Sequence, residues 1–372
     1  MLSSPKTGNV ASRAAEQQSS RMSTDLSKRK QDHLALCATD AVAFRGQGTL
    51  FDCVKLVHNA LPELSLDEVD TRVVILGKTL KAPLFIAAMT GGTDEALTVN
   101  RTLASIAEAR GYGFGLGSQR AMHRSSAAAY TYDVRKVAPH ALVLGNIGIV
   151  QAREMSTEEV RALCDASAVD AVCIHMNPAM EVIQPGGDRD FRGGIETLQR
   201  LVRELGKPIV AKETGCGISR ALGQRLRTAG IEHVDVSGAG GTSWVGVETL
   251  RADSDMTRSV GELLWDWGVP TAASVGSVAP LGFDTVIATG GIKTGLDVAK
   301  SLVLGANAAG IARPVLMALR EGGVEGATAF LEGLELALRA IMLLTGSRTI
   351  GDLRQAPKMV VGELETWLKE MV

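Results

Sequence analysis

The chain has 372 residues, of which 45% are apolar, enough for one large α/β domain with an appendage. Its net charge is −2 and only 4% of its residues are aromatic, which argues against nucleic-acid, anionic-membrane and base-stacking partners. The sequence has no membrane-length apolar run, no apolar signal segment and no Cys-x-x-Cys among its five cysteines, so we predict a cytosolic protein with reduced thiols.

The N-terminal part is predicted to be a tail followed by a basic helix. Residues 1–27 are rich in Ser, Ala, Gln and Thr and have little to bury, which is typical of disorder. Arg29, Lys30 and His33 follow where a helix is expected to begin. These three groups suit an anion clamp, although a solvated basic helix start has the same pattern.

Residues 28–82 are assigned to a clamp segment that ends in a hairpin. Residues 41–70 have no clear pattern, whereas 72–83 alternate and contain Gly77-Lys78, which predicts a β-hairpin that closes the bottom of a barrel.

Eight apolar runs then alternate with helical patterns over 83–345, and a helical segment, 346–372, ends the chain. The runs are 83–89, 114–116, 141–144, 171–174, 208–211, 233–236, 286–288 and 308–312. Near-continuous apolar runs are typical of parallel strands covered on both faces, and eight such units predict a (β/α)8 TIM barrel. A doubly wound sheet would need a Gly-x-Gly-x-x-Gly fingerprint after the first strand, and Thr90-Gly91-Gly92 does not supply it. The additional run at 269–275 is assigned to the return of the sixth unit.

Helix boundaries have clear signals in three of these units. A helix is predicted from Asp94 to Arg110, stopped by Gly111, and another from Thr294 to Leu304. Ser156 and Glu159 form a capping box that opens a third.

Polar residues follow the strands, whose carboxyl ends converge on one face of a barrel. The predicted ring consists of Thr90, Ser118, Arg120, Asn146, His175, Asn177, Lys212, Ser237 and Thr242. Each alone is compatible with an ordinary turn, but core packing does not require the whole set. Lys212 is the most informative, because a buried lysine is rare and would stabilise negative charge at the N1–C2 carbonyl locus of a flavin.

The last two strand ends predict a phosphate site. Gly290-Gly291 and Arg313-Pro314 end consecutive strands, with Lys293 nearby, where TIM barrels commonly bind phosphate. Two ordinary turns are the alternative. A flavin held here would be FMN and not FAD, since no site for an adenine half is visible.

Several strings resemble the type 2 isopentenyl-diphosphate isomerases, FMN-dependent flavoenzymes of TIM-barrel fold. They are RKQDH at 29–33, AAMTGGT at 87–93, GSQRA at 117–121, NIG at 146–148, HMNPAMEVIQPGGDRDF at 175–191, KETGCGIS at 212–219, VSGAGGTSW at 236–244, ATGGIKTG at 288–295 and GIARP at 310–314. The 2-hydroxy-acid oxidases carry a His and an Arg after strand six, and the inosine-phosphate dehydrogenases need a loop cysteine near there; this chain has neither pattern.

The resemblance implies a role for each matching residue. The flavin contacts would be Met89, Thr90, Gly91, Ser118, Asn146, Lys212, Ser237 and Thr242, with Gly291, Lys293, Ala312 and Arg313 around its phosphate. The substrate diphosphate would be held by Arg29, Lys30, His33, Arg120, His175, Asn177 and Gln184, and Glu181 would bind Mg2+. His175, Asn177, Lys212 and the position of Met180 would surround the reaction.

The implied reaction is the 1,3-proton shift that converts isopentenyl to dimethylallyl diphosphate. Reduced flavin would exchange the proton and NAD(P)H would reduce it once, since the net reaction consumes no electrons. The resemblance also implies a cytoplasmic homo-oligomer, a tetramer or an octamer.

Met180 departs from the family pattern. That pattern is His-x-Asn-Pro-x-Gln-Glu, and here Met180 replaces the Gln, a candidate for proton transfer. A thioether is a weak acceptor and no donor. A diverged flavoenzyme of the same fold, acting on a larger isoprenoid-type substrate, and a non-catalytic flavin- or diphosphate-binding protein therefore remain alternatives. Lys293 also stands where the family usually has Arg, which keeps the charge but loses bidentate binding.

Overall fold

A computed structural model of the chain describes residues 29–371, so the predicted tail, 1–27, lies outside the described residues. In chain order the strands are β1 Val54–Leu56, β2 Val73–Ile75, β3 Lys78–Leu80, β4 Leu84–Ile86, β5 Gly113–Gly115, β6 Leu142–Gly148, β7 Ala171–His175, β8 Ile209–Lys212, β9 His233–Asp235, β10 Thr285–Thr289, β11 Ala308–Ile311 and β12 Lys358–Val360.

The α-helices are α1 over 29–37, α2 Asp94–Arg110, α3 Arg120–Arg124, α4 Ile149–Glu154, α5 Thr157–Ala166, α6 Pro178–Ile183, α7 Gly194–Glu204, α8 Arg220–Thr228, α9 Trp244–Leu250, α10 Asp255–Leu263, α11 Thr271–Val278, α12 Gly295–Val303, α13 Arg313–Leu344, α14 Ile350–Gln355 and α15 Glu363–Glu370. Short 3-10 turns cover Asp40–Val42, Phe51–Cys53, Leu66–Glu68, Ser126–Tyr132 and Ala279–Leu281.

Strands β4 to β11 pair in parallel with their neighbours in sequence, and β11 pairs with β4 to close the barrel. The predicted TIM barrel is therefore confirmed. Its interior is filled by side chains such as Phe85, Leu144 and Ile287, and the β2–β3 hairpin adds Ile75 and Leu80 to the same cluster. The hairpin thus caps the amino-terminal end of the barrel, as predicted.

Local signals set the helix ends. Thr93 accepts a hydrogen bond from the Ala96 amide at the start of α2, and Gly111 ends the helix with a left-handed φ of 69°. The run at 269–275 enters α11, which lies between the sixth and seventh barrel strands. The predicted turn at Arg313-Pro314 is wrong, because α13 begins there; proline is tolerated in the first turn, where its missing amide would have no helical partner.

The segment after α1 lies across the carboxyl end of the barrel. Leu34, Cys37 and Val42 pack against Val247 of α9 and Leu316 of α13. The Ser243 amide then donates to the Val42 carbonyl at 2.8 Å, and the Phe44 amide to the Gly241 carbonyl at 3.3 Å. These contacts hold α1 over the face where the predicted site lies.

Strand β1 pairs antiparallel with β12, so the N-terminal segment and the C-terminal helical segment meet outside the barrel. Across residues 29–371, we find no helix that is both long and apolar enough to span a membrane.

Candidate active site

A cavity of about 1520 Å3, counting its open mouth, lies at the carboxyl end of the barrel. Of the residues predicted to bind or react, those that line it are Arg29, Lys30, His33, Met89, Thr90, Ser118, Arg120, Asn146, His175, Asn177, Met180, Glu181, Gln184, Lys212, Ser237, Thr242, Gly291, Lys293, Ala312 and Arg313. Gly91 is the exception: a Cβ there would lie 2.2 Å from the Tyr132 ring, so its Cα packs against that ring. The structure therefore brings the predicted residues of eight strand ends and α1 into one cavity.

Lys212 is paired with a carboxylate that the sequence did not single out. Its Nζ lies 2.7 Å from Asp235 Oδ2, and the two residues are register partners at the ends of β8 and β9. Asp235 Oδ1 also accepts a hydrogen bond from the amide of Ser237 at 3.2 Å, and Ser237 has a left-handed φ of 37°. Asp235 thus fixes both the lysine and the adjoining loop.

His175 is held as a neutral ring. Asn146 Nδ2 donates to the Leu116 carbonyl, which leaves Asn146 Oδ1 to accept from His175 Nδ1 at 2.7 Å. Desolvation, with the charges of Lys30, Lys212 and Arg120, lowers the pKa of His175 to about 3. The ring therefore carries its proton on Nδ1 and presents Nε2 as an acceptor.

Three cations gather beside His175. Desolvation, together with Arg29 and Arg120, lowers the pKa of Lys30 to about 8. The Nε atoms of Arg29 and Arg120 are buried and have no hydrogen-bond partner within the described part of the chain. Asp188 lies 3.4 Å from Arg120 Nη1. An anion would relieve the repulsion among these cations and accept the unused donors.

Glu181 has a buried carboxylate in a network of amides. Oε1 accepts from Asn177 Nδ2 at 3.0 Å, and Oε2 accepts from Gln184 Nε2 at 3.0 Å and from the Asp188 amide at 2.7 Å. The Met180 sulfur lies 3.7 Å from the same Asn177 nitrogen. Between residues 29 and 371 no three His, Cys, Asp or Glu residues cluster as a metal site. A cation at Glu181 would therefore take most of its ligands from a bound anion and water, as Mg2+ commonly does.

Glu248 is a second carboxylate that the sequence did not single out, and it pairs with His33. The His33 Nε2 atom lies 2.7 Å from Glu248 Oε1, and the side chain of Glu248 is fully buried. Glu248 Oε2 accepts from Arg251 Nη1 at 2.6 Å. No motif marks Glu248 in the sequence, and in the structure it lies inside α9.

The predicted phosphate loop at Gly290-Gly291 lies too close to the loop after β9 for side chains. A Cβ on Gly241 would lie 2.4 Å from the Gly291 amide, and Gly291 has a φ of 72°. Arg313 donates to the Thr39 carbonyl at 2.9 Å and to Asp40 at 3.0 Å, so the clamp segment contacts this region.

Two buried hydroxyls complete the cavity wall. The Oγ1 atoms of Thr90 and Thr289 have no hydrogen-bond partner within residues 29–371. Both residues line the cavity, and Thr289 was not predicted. These hydroxyls, the glycine cradle, Lys293 and Arg313 fit the polar tail and phosphate of a flavin mononucleotide.

Comparisons with known proteins agree with this geometry. Residues 188–360 match the FMN-dependent dehydrogenase family. The isopentenyl-diphosphate delta-isomerase of Methanothermobacter thermautotrophicus is 42% identical over 93% of this chain and 96% of that protein. The enzymes of the same name from Methanosarcina barkeri and Pyrococcus abyssi are 43% and 38% identical, over 92% of this chain and 94% and 95% of theirs.

Solved structures support the fold. Mandelate oxidase with (S)-2-phenylpropionate has a TM-score of 0.62 at 21% identity, covering 91% of this chain and 98% of that one. A putative lactate oxidase from Pediococcus acidilactici has a TM-score of 0.64 at 16% identity, covering 91% and 94%.

Proposed function

This chain belongs to the family of isopentenyl-diphosphate delta-isomerases, and we propose that it moves the double bond of isopentenyl diphosphate by one carbon, using bound FMN in its reduced form and Mg2+. The observation that carries the proposal is the juxtaposition in one cavity of a cation cluster, Arg29, Lys30 and Arg120, with the lysine Lys212 at the floor. The first suits a diphosphate and the second a flavin ring.

The residues present fit FMN. Gly241 and Gly291 would let the backbone approach its phosphate, Lys293 and Arg313 would supply charge, and Thr90 and Thr289 would bind polar groups. When bound and reduced, with NAD(P)H as the proposed reductant, the flavin supplies a proton donor and acceptor at N5. Lys212, held by Asp235, would stabilise negative charge on the ring.

The protein would neutralise and orient the substrate. The cation cluster would bind the diphosphate, and Glu181 would hold Mg2+ beside it. Neutral His175 offers an acceptor at Nε2, so we assign it to a proton-bearing group, such as water on the metal ion, in preference to a bare phosphate oxygen.

The test is isomerisation in heavy water. FMN-loaded, reduced protein is incubated with Mg2+ and isopentenyl diphosphate in D2O, and the product is analysed by mass spectrometry. We expect dimethylallyl diphosphate that contains deuterium. The unreduced protein is the control, and product formation at the same rate without reduction would contradict the proposal.

A second candidate is a diverged reaction on a larger isoprenoid-type diphosphate, and Met180 is the observation that favours it. The Met180 side chain lines the cavity and contributes no hydrogen-bond donor. Flavin that binds and is reduced, with no deuterium in any isopentenyl-derived product, would favour this candidate.

A further inference from the structure

The buried carboxylate of Glu248 has no role in the proposal above, yet it holds in place the residues that form one face of the cavity. It receives His33 Nε2 on one oxygen and Arg251 Nη1 on the other. Arg251 Nε in turn lies 3.2 Å from Asp32 of α1. This network fastens α1, which carries Arg29 and Lys30, to α9.

Glu248 also fixes which ring nitrogen of His33 carries the proton. Burial alone would raise the pKa of Glu248, but the hydrogen bond from His33 and the charge of Arg251 lower it, so the carboxylate is ionised and can only accept. His33 Nε2 must therefore carry a hydrogen. In the neutral ring the remaining lone pair is on Nδ1, which has no partner among residues 29–371, and the ring lines the cavity.

The orientation of the ring is fixed as well. Trp244 meets His33 edge-on, with centroids 5.2 Å apart and an interplanar angle of 75°. A flip of the ring within this plane would place Cε1 against Glu248 in place of Nε2 and would lose the hydrogen bond. Nδ1 is thus the nitrogen available to a ligand.

We propose that Glu248 is a positioning residue that allows His33 to bind the substrate diphosphate only as an imidazolium, so that diphosphate binding takes up one proton. A phosphate oxygen is an acceptor and so is a bare Nδ1; the two atoms attract each other only with a proton between them. This inference rests on the proposed function, because it takes the anion in the cavity to be a diphosphate.

The surroundings of His33 keep its free ring neutral, so the proton of the imidazolium is taken up when the diphosphate binds. Desolvation, with Lys30 on its own helix and Arg251 at the C-cap of α9, lowers the pKa of His33, while Glu248 acts in the opposite direction. Arg29, Arg120 and Arg313 of α13 face the same cavity and add positive charge. The free ring is therefore neutral at pH 8, where a terminal phosphate, with a pKa of about 6, is also deprotonated. The proton must then come from solution.

Calorimetry measures this directly. Inorganic pyrophosphate with Mg2+ is titrated into the FMN-loaded protein at pH 8 in HEPES and in Tris, whose ionisation enthalpies differ. We expect His33 to take up close to one proton per site, in addition to a fraction of a proton taken up by Lys30, whose pKa of about 8 leaves it partly deprotonated before the anion binds, and we expect a Kd that rises about tenfold or more from pH 7 to pH 8. The matched control is His140→Asn, since His140 pairs with Glu108 at 2.8 Å but lies exposed outside the cavity; it should leave the uptake unchanged.

Variants of Glu248 separate this role from a merely structural one. Glu248→Gln keeps an acceptor for Nε2 but removes the charge that stabilises the imidazolium. Proton uptake should fall by close to one proton per site, leaving only the share of Lys30, and the KM for isopentenyl diphosphate should rise about tenfold at pH 8, with kcat little changed. Glu248→Asp should restore part of the uptake.

Each remaining outcome has a defined meaning. Pyrophosphate that binds to the wild type without proton uptake overturns this inference and leaves the proposed function standing, whereas pyrophosphate that does not bind overturns both. Unchanged uptake in Glu248→Gln also overturns the inference. If that variant does not fold, His33→Asn decides: uptake lower by about one proton per site supports the inference, and unchanged uptake overturns it.

Discussion

At the residue scale, Met180 is the position where this chain departs most from the pattern it otherwise follows. Its sulfur lies 3.7 Å from Asn177 Nδ2, so it occupies a place where an amide would both accept from Asn177 and offer a donor. We expect Met180→Gln to raise the rate of deuterium incorporation from D2O by about 100-fold or more, since a proton-transfer group contributes roughly 10²–10⁴-fold.

The control for this change is Met180→Leu, which keeps an apolar side chain of similar size. It should leave the rate near that of the wild type. A wild-type rate that neither substitution alters would show that Met180 only packs against the substrate.

Removing either member of the Lys212–Asp235 pair should destabilise the fold, a cost that the sequence alone did not reveal. Removing one partner of a buried pair leaves an uncompensated charge and costs about 3–5 kcal/mol. We expect Lys212→Met to lower the free energy of unfolding by that amount, measured by urea denaturation, and the double variant with Asp235→Asn to recover most of it. Both should slow flavin reduction more than they weaken FMN binding, because the ammonium acts on the reduced ring.

An exposed pair serves as the comparison. Lys369 and Glu365 lie 2.6 Å apart on α15 with most of the lysine in solvent, so Lys369→Met should leave both stability and flavin reduction nearly unchanged. A double variant that is no more stable than Lys212→Met would mean that the unpaired Asp235 carboxylate is not the cause of the lost stability.

These residues show which parts of the site were visible in the sequence. Strand ends followed by Gly or polar residues pointed to Lys212, His175 and Gly290-Gly291, all of which line the cavity, because a parallel barrel brings such ends to one face. Asp235 and Glu248 were missed, since one lies inside a predicted strand and the other inside a helix. Their importance comes from pairing with residues distant in sequence, which periodicity does not encode.

At the element scale, the predicted phosphate loop at Gly290-Gly291 depends on the loop after β9, which contains Gly241. A Cβ on Gly241 would lie 2.4 Å from the Gly291 amide and 2.9 Å from its Cα, so Gly241→Ala must push the loops apart. We expect FMN affinity to fall about tenfold to a hundredfold, because charge-assisted hydrogen bonds of about 1.5–3 kcal/mol would be weakened. Flavin fluorescence titration measures the change.

Gly322→Ala is the matched control, since no atom lies within 4 Å of the Cβ it would add. It should bind FMN as the wild type does. Equal affinity in Gly241→Ala would place the flavin phosphate elsewhere in the cavity.

Elements were predicted well where a local signal acts and poorly where tertiary contacts decide. Thr93 and Gly111 bound α2 through capping, and the prediction for Asp94 to Arg110 is confirmed. The pairing of β1 with β12 joins strands about three hundred residues apart, and no short-range pattern announces it. The start of α13 at Arg313 was mistaken for a turn because proline is common in both.

At the scale of the whole molecule, one buried carboxyl should make stability depend on pH. Glu213 follows Lys212 in the loop after β8, and its Oε2 accepts from the amides of Thr214, Cys216 and Gly217. Burial outweighs these hydrogen bonds and raises the pKa of Glu213 from 4.5 to about 7. The folded chain therefore holds this proton over a pH range in which the unfolded chain has lost it.

The sign of the effect follows from that difference. Between pH 4.5 and 7 the native state binds more protons than the unfolded state, so the free energy of unfolding falls as pH rises, by about 3 kcal/mol across the window. We expect the Tm of the FMN-saturated protein to drop from pH 5 to pH 8, and Glu213→Gln, which resembles the protonated form, to lose most of that drop.

Glu108 provides a control of opposite sign. Burial alone would raise its pKa, but hydrogen bonds from His140 and from the amides of Ala141 and His140 lower it below 4.5, so its contribution to stability is complete above that pH and is lost only in more acidic solution. Glu108→Gln should therefore leave the slope between pH 5 and pH 8 as it is in the wild type. A Glu213→Gln protein that keeps the full wild-type slope would show that Glu213 is ionised throughout this range and is stabilised by its three backbone amides and the charge of Lys212.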